Sequence, residues 1–386
     1  MSKVRMGIVG IGNIGTMHVT NLLAKKVKGL TLNAVCDIDQ SRLDWVKGND
    51  PDVTIFTDYK AMIDSGEIDS VLIAVPHYLH PVIAVYAFEK GLHVLCEKPA
   101  GVYTKKVEEM NAAAEASGKV FSLMYNQRTS PIYKKVKSMI ESGQLGQLKR
   151  FVWIITNWYR PQCYYDSGTW RATWSGEGGG VLINQCPHNL DIWQWLFGMP
   201  VRVRGFCDYG KFHDIEVEDN VTAYAEYANG ANAVFITTTG ETPGTNRLEI
   251  SGDKGKIVIE DGKLKFWETA VPEREFCRTT EGSFSQPDVT FYDIPISEPE
   301  TAHVGIMQNF ANAITSGEAL IAPGCEGING LTVSNAIHLS DWTDNWVNLP
   351  IDGDLYYKLL GERAEKSRLK TSAEGAVSDM SGTFNS

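Results

Sequence analysis

The chain has 386 residues, which is enough for two domains, and its 43% hydrophobic and 22% charged residues are typical of a globular protein. The formal net charge of −11 makes nucleic acids and anionic membranes poor partners, because an acidic surface repels phosphate groups. No apolar stretch of the sequence is long enough to span a bilayer, and the seven cysteines form no Cys-x-x-Cys pair. We therefore expect a cytoplasmic protein with free thiols, without a metal site and without disulfide bonds.

In the first 125 residues, short apolar strands alternate with helices. We predict strands at residues 4–9, 31–37, 70–74 and 93–96, and helices at 12–26, 40–47, 81–90 and 105–117. The first strand, Val4–Val9, has no polar alternation, which is typical of a parallel strand buried on both faces. This order predicts an α/β domain with a doubly wound parallel sheet over residues 1–125.

From about residue 150, strands follow strands. We predict strands at 221–227, 231–239, 247–251, 256–260 and 263–268, and helices at 130–142, 179–197, 303–316 and 328–345. The second domain, residues 126–370, is therefore expected to be α/β with an open, mainly antiparallel sheet, followed by a flexible tail at 371–386. Apolar residues such as Val234, Phe235 and Ile236 on an open sheet face predict a homodimer or homotetramer.

The segment Gly10-Ile11-Gly12-Asn13-Ile14-Gly15 directly follows the first strand and opens a helix. In this position the three glycines favour a dinucleotide site: they permit a tight turn, a close approach of the backbone to a pyrophosphate, and close helix packing. Asp37 ends the second strand, 22 residues after Gly15, where a carboxylate accepts hydrogen bonds from ribose hydroxyls and repels a 2′-phosphate. NAD is thus favoured over NADP, although Arg42 lies nearby. The alternatives are FAD, which uses the same pattern, and a plain turn.

Two further segments carry residues that suit catalysis. Glu97-Lys98-Pro99 follows a strand at the edge where ligands bind in open α/β sheets, so Lys98 could polarise a substrate oxygen. After Gly178-Gly179-Gly180, Asn184 and His188 are four residues apart and would share one face of the predicted helix. Taken alone, Lys98 could equally be a solvated lysine and His188 a hydrogen-bonded core histidine.

Together these segments resemble the Gfo/Idh/MocA family of oxidoreductases. The resemblance extends over nearly the whole chain and includes the glycine loop with His18, the segment 74–80, Glu97-Lys98-Pro99, residues 126–128, the triple glycine with His188, and residues 303–314. It implies a Rossmann domain followed by an α/β domain with an open antiparallel sheet. It also implies oxidation or reduction of a carbinol on a sugar or cyclitol with NAD(P).

The resemblance also implies roles for individual residues. Lys98 corresponds to the active-site lysine and His188 to the catalytic histidine. The implied cofactor residues are Gly10, Gly12, Asn13, Ile14, Asp37, Pro76, His77, His80, Glu97, Lys98 and Asn126. The family usually has Asp where this chain has Asn184, and an amide carries no charge and is not a base. Proton removal should then depend on His188 or Lys98, with Asn184 orienting a hydroxyl.

Eight aromatic residues lie between positions 151 and 174, in and after a predicted strand. Aromatic faces suit the C–H faces of sugar rings, and neighbouring polar groups can bind hydroxyls. The expected substrate residues are Tyr159, Arg160, Tyr165, Trp170, Arg171, Trp174, Asn184 and His188. Phe151 and Trp153 are expected to pack in the core. This segment resembles a branch of the family that acts on glycosides.

These observations predict an NAD-dependent dehydrogenase that acts on a secondary hydroxyl of a sugar, glycoside or cyclitol. One alternative is a glycoside-cleaving enzyme that works through a transient keto-sugar with bound NAD. Another is a non-catalytic sensor of NAD or sugar, although a sensor needs neither Lys98 nor His188.

Overall fold

The computed structural model describes residues 3–368, so the predicted tail at 371–386 lies outside the described residues. Two sheets organise this part of the chain. The predicted fold, a Rossmann domain joined to an α/β domain with a mainly antiparallel sheet, is confirmed. The boundaries at residues 125 and 370 stay predictions. None of the helices in residues 3–368 has both the length and the apolar character that crossing a membrane requires.

The first sheet has six parallel strands in the order β3-β2-β1-β4-β5-β6. Its strands are β1 Val4–Val9, β2 Leu30–Cys36, β3 Thr54–Phe56, β4 Ser70–Ile73, β5 His93–Cys96 and β6 Phe121–Leu123. The helices of this half are α1 Asn13–Leu23, α2 Gln40–Asn49, α3 Tyr59–Asp64, α4 Leu79–Glu89 and α5 Thr104–Ser117. The strand order reverses between β1 and β4, and ligands bind beyond the carboxyl ends of strands at such a point.

The second sheet has nine strands in the order β14-β13-β12-β11-β7-β10-β9-β8-β15. They are β7 Leu148–Ile155, β8 Arg202–Tyr209, β9 Glu218–Glu226, β10 Asn232–Thr238, β11 Asn246–Gly252, β12 Gly255–Glu260, β13 Lys263–Thr269, β14 Val289–Ile294 and β15 Val347–Asn348. The pair β7 and β10 is parallel, and the other neighbours pair antiparallel. The α-helices of this half are α6 Pro131–Glu141, α7 Gln162–Asp166, α8 Pro187–Phe197, α9 Glu273–Thr279, α10 Ala302–Ser316, α11 Gly327–Thr343 and α12 Gly353–Ala364.

One face of the second sheet packs on α8. Phe151 and Trp153 are fully buried, as predicted, and Trp193 of α8 stacks between Phe151 and Phe235 with ring centroids 5.8 and 5.6 Å away. Successive residues of a strand point to opposite faces. The prediction that Phe235 lies on the open face with its neighbours in sequence is therefore wrong: it belongs to the buried face.

The predicted helix at 179–197 is eight residues too long, since α8 begins at Pro187. The carboxylate of Glu218 on β9 accepts the backbone N–H groups of Gly180 and Leu182 and so holds a turn before the helix. Proline at the first position then starts the helix, because its missing N–H is not needed there. Asn184 therefore lies in the turn, and it does not share a helical face with His188.

Candidate active site

A cavity of about 970 Å³ lies at the carboxyl ends of the parallel strands, between the two sheets. The eleven residues predicted to bind the cofactor all line it: Gly10, Gly12, Asn13, Ile14, Asp37, Pro76, His77, His80, Glu97, Lys98 and Asn126. Three predicted substrate residues of the second half, Arg160, Trp170 and Arg171, line the same cavity together with Asn184 and His188. One cavity thus joins the glycine loop to the predicted catalytic residues.

The glycine loop has the geometry that a dinucleotide requires. Gly10 has φ +89°, and a Cβ there would clash with the carbonyl oxygen of Ala74, while a Cβ at Gly15 would clash with the Gly10 carbonyl. At Gly12 a Cβ would meet no atom of the described chain within 4 Å, because the residue faces open space in front of α1. This space at a helix N-terminus suits a pyrophosphate.

Asp37 lines the cavity beside the glycine loop, where the sequence predicts the adenosine of NAD. Its carboxylate accepts from the backbone N–H of Ile11 at 2.5 Å, which ties the end of β2 to the glycine loop. Asn126 lies at another part of the cavity wall, and within residues 3–368 its buried Oδ1 has no hydrogen-bond partner. A buried acceptor without a partner costs free energy, so a ligand that donates a hydrogen bond there would be favoured. The open loop, Asp37 and Asn126 together fit NAD.

We expect Gly12→Val to weaken NAD binding roughly 10- to 100-fold, because the added side chain would project into the space in front of α1 and overpacking costs about 1–3 kcal/mol. The backbone of Gly12 is extended, so the fold should tolerate the change. Gly48→Val is the matched control, since Gly48 also faces open space but lies on α2, away from the cavity. Calorimetric titration with NAD and the unfolding midpoint of both variants check this, and equal affinities would contradict it.

Lys98 lies beyond the end of β5 and points its amine towards the second half of the chain. Its Nζ donates to the backbone carbonyl of Asn184 at 2.9 Å, which leaves two further N–H donors for a substrate oxygen. Burial lowers the pKa of Lys98 below its usual range, although the neighbouring Glu97 and Glu177 act in the opposite direction. The preceding Glu97 is buried itself, and it lies 2.7 Å from the His18 ring and accepts from the Lys98 backbone N–H.

His188 lies in the first turn of α8 and lines the cavity near Lys98. Burial and, to a lesser degree, the Lys98 charge hold the pKa of His188 well below its usual range. Its ring is therefore neutral at neutral pH and can accept a proton. Among the described residues its buried Nδ1 has no hydrogen-bond partner.

A buried ion pair connects the walls of the cavity. The guanidinium of Arg128 forms two hydrogen bonds, at 2.7 and 2.6 Å, with the Asp191 carboxylate of α8 and a third with Glu326. Arg128 lies two residues after Asn126, and Asp191 lies one turn after His188. The pair therefore fixes the position of the predicted cofactor residue relative to that of the predicted base.

Asn184 contacts a buried carboxylate, that of Glu177, which the sequence did not indicate. Its amide nitrogen donates to Glu177, and its amide oxygen accepts from the Tyr164 hydroxyl at 3.2 Å. Glu177 is 2% exposed and lies directly before the triple glycine. A charged residue beside three glycines is the only signal in the sequence, and it is indistinguishable from an exposed loop position.

Three predicted substrate residues do not line the cavity. Tyr159 is 45% exposed, the Tyr165 hydroxyl donates to Thr239 in the interior, and Trp174 packs against His338 and Trp342. Trp158 and Tyr164, the sequence neighbours of the first two, line it instead. For Tyr164 and Tyr165 the reason is local, because residues 162–166 form the short helix α7, in which consecutive side chains point in different directions.

Comparison with known proteins gives matches over both halves of the chain. Residues 4–125 match the model of an oxidoreductase family with an NAD-binding Rossmann fold, and residues 133–258 match the GFO/IDH/MocA C-terminal domain. Myo-inositol 2-dehydrogenase of Thermotoga maritima is 25% identical over 264 residues, which are 67% of this chain and 75% of that protein. Levoglucosan dehydrogenase of Pseudarthrobacter phenanthrenivorans is 25% identical over 331 residues, which are 76% of this chain and 83% of that protein.

A similar solved structure is that of the WlbA dehydrogenase from Bordetella pertussis in complex with NADH and UDP-GlcNAcA. It aligns with a TM-score of 0.76 at 25% identity and covers 91% of this chain and 100% of that one. The two family matches extend over more than half of the chain, and the geometry of the glycine loop agrees with them. The chain belongs to the Gfo/Idh/MocA family of NAD-binding oxidoreductases.

Proposed function

We propose that the protein is an NAD-dependent dehydrogenase that transfers a hydride between the nicotinamide and a secondary hydroxyl of a sugar, glycoside or cyclitol. The observation that carries this proposal is that Lys98 and His188 open into the same cavity as the glycine loop. The names of the relatives support it, since they include dehydrogenases of a cyclitol and of an anhydrosugar. Asp37 at the adenosine end favours NAD over NADP.

Each polar group at the substrate end has a role in this proposal. When bound, NAD supplies the hydride acceptor. The neutral His188 ring takes the proton of the substrate hydroxyl, and the Lys98 ammonium stabilises the negative charge that develops on the oxygen. The Asn184 amide orients the hydroxyl, since it can neither carry charge nor act as a base.

The sugar ring is held by the aromatic and cationic residues of the wall. The guanidinium of Arg160 lies over the rings of Trp158 and Tyr164, 5.7 and 5.2 Å from their centroids. Arg171 lies over Tyr164 and Trp170 and donates to the Tyr164 hydroxyl. Such a wall offers flat apolar faces and charged donors together, which suits a polyhydroxylated ring.

We expect Arg160→Ala to raise KM for the sugar roughly 10- to 100-fold with NAD affinity unchanged, because a hydrogen bond from a charged group contributes about 1.5–3 kcal/mol. The matched control is Arg150→Ala, on β7, whose side chain pairs with Glu249 outside the cavity. Steady-state kinetics on the best sugar of a panel checks this. An equal KM for both variants would remove Arg160 from the substrate site.

The experiment that tests the proposed function is the addition of sugars, glycosides and cyclitols to the purified protein with NAD, followed at 340 nm. A rise in absorbance with at least one compound is expected. Binding of sugar and NAD without any rise across a broad panel would overturn the proposal in favour of a sensor. Release of an aglycone without net formation of NADH would instead favour the glycoside-cleaving alternative.

We also propose that the protein is a cytoplasmic homodimer or homotetramer. Val234 and Ile236 lie on the face of the second sheet opposite α8, and on the edge strand β14 Phe291 and Tyr292 are exposed. Apolar sheet faces and edges of this kind are typical of subunit interfaces. The seven cysteines are free thiols, which suits a reducing compartment. Sedimentation velocity of the purified protein tests the assembly, and a monomer at micromolar concentration would contradict it.

A further inference from the structure

The substrate end of the cavity has an imbalance of charge. Between positions 151 and 200 the lining residues include two cations, Arg160 and Arg171, and no carboxylate, while Lys98 lines the cavity beside Glu97 of the Rossmann half. Neither arginine forms an ion pair with a carboxylate within 4 Å in the part of the chain that the structure describes. The acidic side chain behind this wall is Glu177, which does not reach the cavity itself.

Glu177 is held in one orientation by groups from its own loop. One carboxylate oxygen accepts from the backbone N–H of Ala172 at 2.6 Å, and the other accepts from the side-chain amide of Asn184. The backbone carbonyl of Glu177 lies 3.2 Å from the His77 ring, which joins this loop to the Rossmann half. Burial raises the pKa of Glu177, while the Arg171 charge and these two N–H donors favour its ionised form.

The carboxylate determines how Asn184 presents its amide. Both oxygens of this carboxylate accept N–H groups, one from Ala172 and one from Asn184, so the amide nitrogen of Asn184 faces Glu177. The amide oxygen then faces the Tyr164 hydroxyl, 3.2 Å away, on the cavity side. The backbone carbonyl of the same residue holds the Lys98 amine. Glu177 therefore acts on two of the predicted catalytic groups through one neighbour.

The charge of Glu177 also acts on Lys98 directly. Glu97 and Glu177 favour the charged form of the amine, whereas burial, Arg171 and Arg160 disfavour it. His77 and His80 are buried and His188 is half-buried. All three face this region, and burial lowers the pKa of each below its usual range, so they are neutral at neutral pH. Glu97 and Glu177, one from each half of the chain, thus oppose the lowering of the Lys98 pKa by burial.

We propose that Glu177 is a positioning residue of the active site, which orients the Asn184 amide towards the substrate and supplies the negative charge that keeps Lys98 an ammonium. This inference rests on the proposed function. Glu177 would then supply the active site with the carboxylate that position 184, an asparagine in this chain, lacks.

The test exchanges the amide and the acid. Glu177→Gln is expected to lower kcat roughly 10- to 100-fold with NAD affinity unchanged, and to move the alkaline limit of activity to lower pH, because Lys98 loses one of its two carboxylates. Asn184→Asp is expected to lower kcat as well, since two carboxylates in contact cannot both ionise. The double variant Glu177→Gln with Asn184→Asp again has one acid facing one amide, and it should recover at least about tenfold over either single variant.

Two outcomes of this exchange would overturn the proposal. One is a Glu177→Gln enzyme with the kcat and the pH profile of the wild type. The other is a double variant whose loss of kcat equals the product of the losses in the two single variants, because independent effects of this kind would indicate structural damage at each position. Glu177→Asp retains the charge, so its alkaline limit should stay at the wild-type position even if kcat falls. A shift to lower pH in that variant would also contradict the proposal.

A readout without turnover separates this inference from the proposed function. The titration of Lys98 can be followed by NMR of ¹³C-labelled lysine in the NAD-bound protein, with Lys98→Arg to assign the signal. We expect Lys98 to titrate at lower pH in Glu177→Gln than in the wild type. An unchanged titration would overturn the role of Glu177, whereas a wild type that reduces no NAD with any sugar would overturn only the dehydrogenase function.

Discussion

Lys98→Ala should lower kcat/KM for the sugar by roughly 10²–10³, with the unfolding midpoint unchanged. The amine has one carbonyl partner, Asn184, and two remaining donors at the cavity. Loss of a donor that stabilises a developing oxyanion costs about 10²–10³ in rate, because the interaction is strongest in the transition state. The effect should therefore fall on kcat rather than on KM.

The measurement is steady-state kinetics at 340 nm combined with a titration of NAD. Lys105→Ala is the matched control, because this lysine is exposed, pairs with Asp354 and lies away from the cavity. If Lys98→Ala turned over at the rate of the control, Lys98 would have no part in the chemistry.

His188→Ala should lower kcat/KM by roughly 10²–10⁴, which is the usual contribution of a positioned general base. The remaining rate would come from Lys98 and from orientation of the hydroxyl. His93→Ala is the control, since His93 lies at the opposite end of β5, away from the cavity. A rate within about twofold of the wild type would show that another group accepts the proton.

The pH dependence follows from the same two groups. His188 accepts a proton only when neutral, and burial holds its pKa well below the ordinary value of 6.5. Activity should therefore persist below pH 6.5 and fall only as the pH drops through the lowered pKa of His188. Lys98 is required as an ammonium, so activity should fall again at alkaline pH, below the ordinary value of 10.5. Loss of activity with a midpoint at or above pH 6.5 would contradict the assignment of His188.

That the predicted cofactor residues line one cavity could be expected from the sequence, because the signals for this half are local. In a parallel sheet the carboxyl ends of the strands lie at one edge, so Gly10, Asp37 and Lys98 had to come together once the strands were known. The strand β14 has no such local signal. Nearly all its side chains are exposed, so its sequence lacks the alternation of apolar and polar residues by which a strand is predicted.

The second half of the site depends on partners that are distant in sequence. The apolar run after the triple glycine resembled a helix, but Glu218, 38 residues after Gly180, binds its N–H groups and holds a turn. Whether Tyr164 or Tyr165 lines the cavity depends on the orientation of a five-residue helix. Glu177 is an exception, because its partners Ala172 and Asn184 are only five and seven residues away, but no periodicity of the sequence indicates these contacts.

A crystal structure of the protein with NADH and a turned-over sugar tests the central claim most directly. We expect one secondary hydroxyl to lie about 3 Å from both the Lys98 amine and the His188 ring, within hydrogen-bond reach. Its carbon should face the nicotinamide in the cavity that begins at Gly10. If the hydroxyl that the enzyme oxidises contacted neither Lys98 nor His188, the proposed roles of these two residues would be wrong.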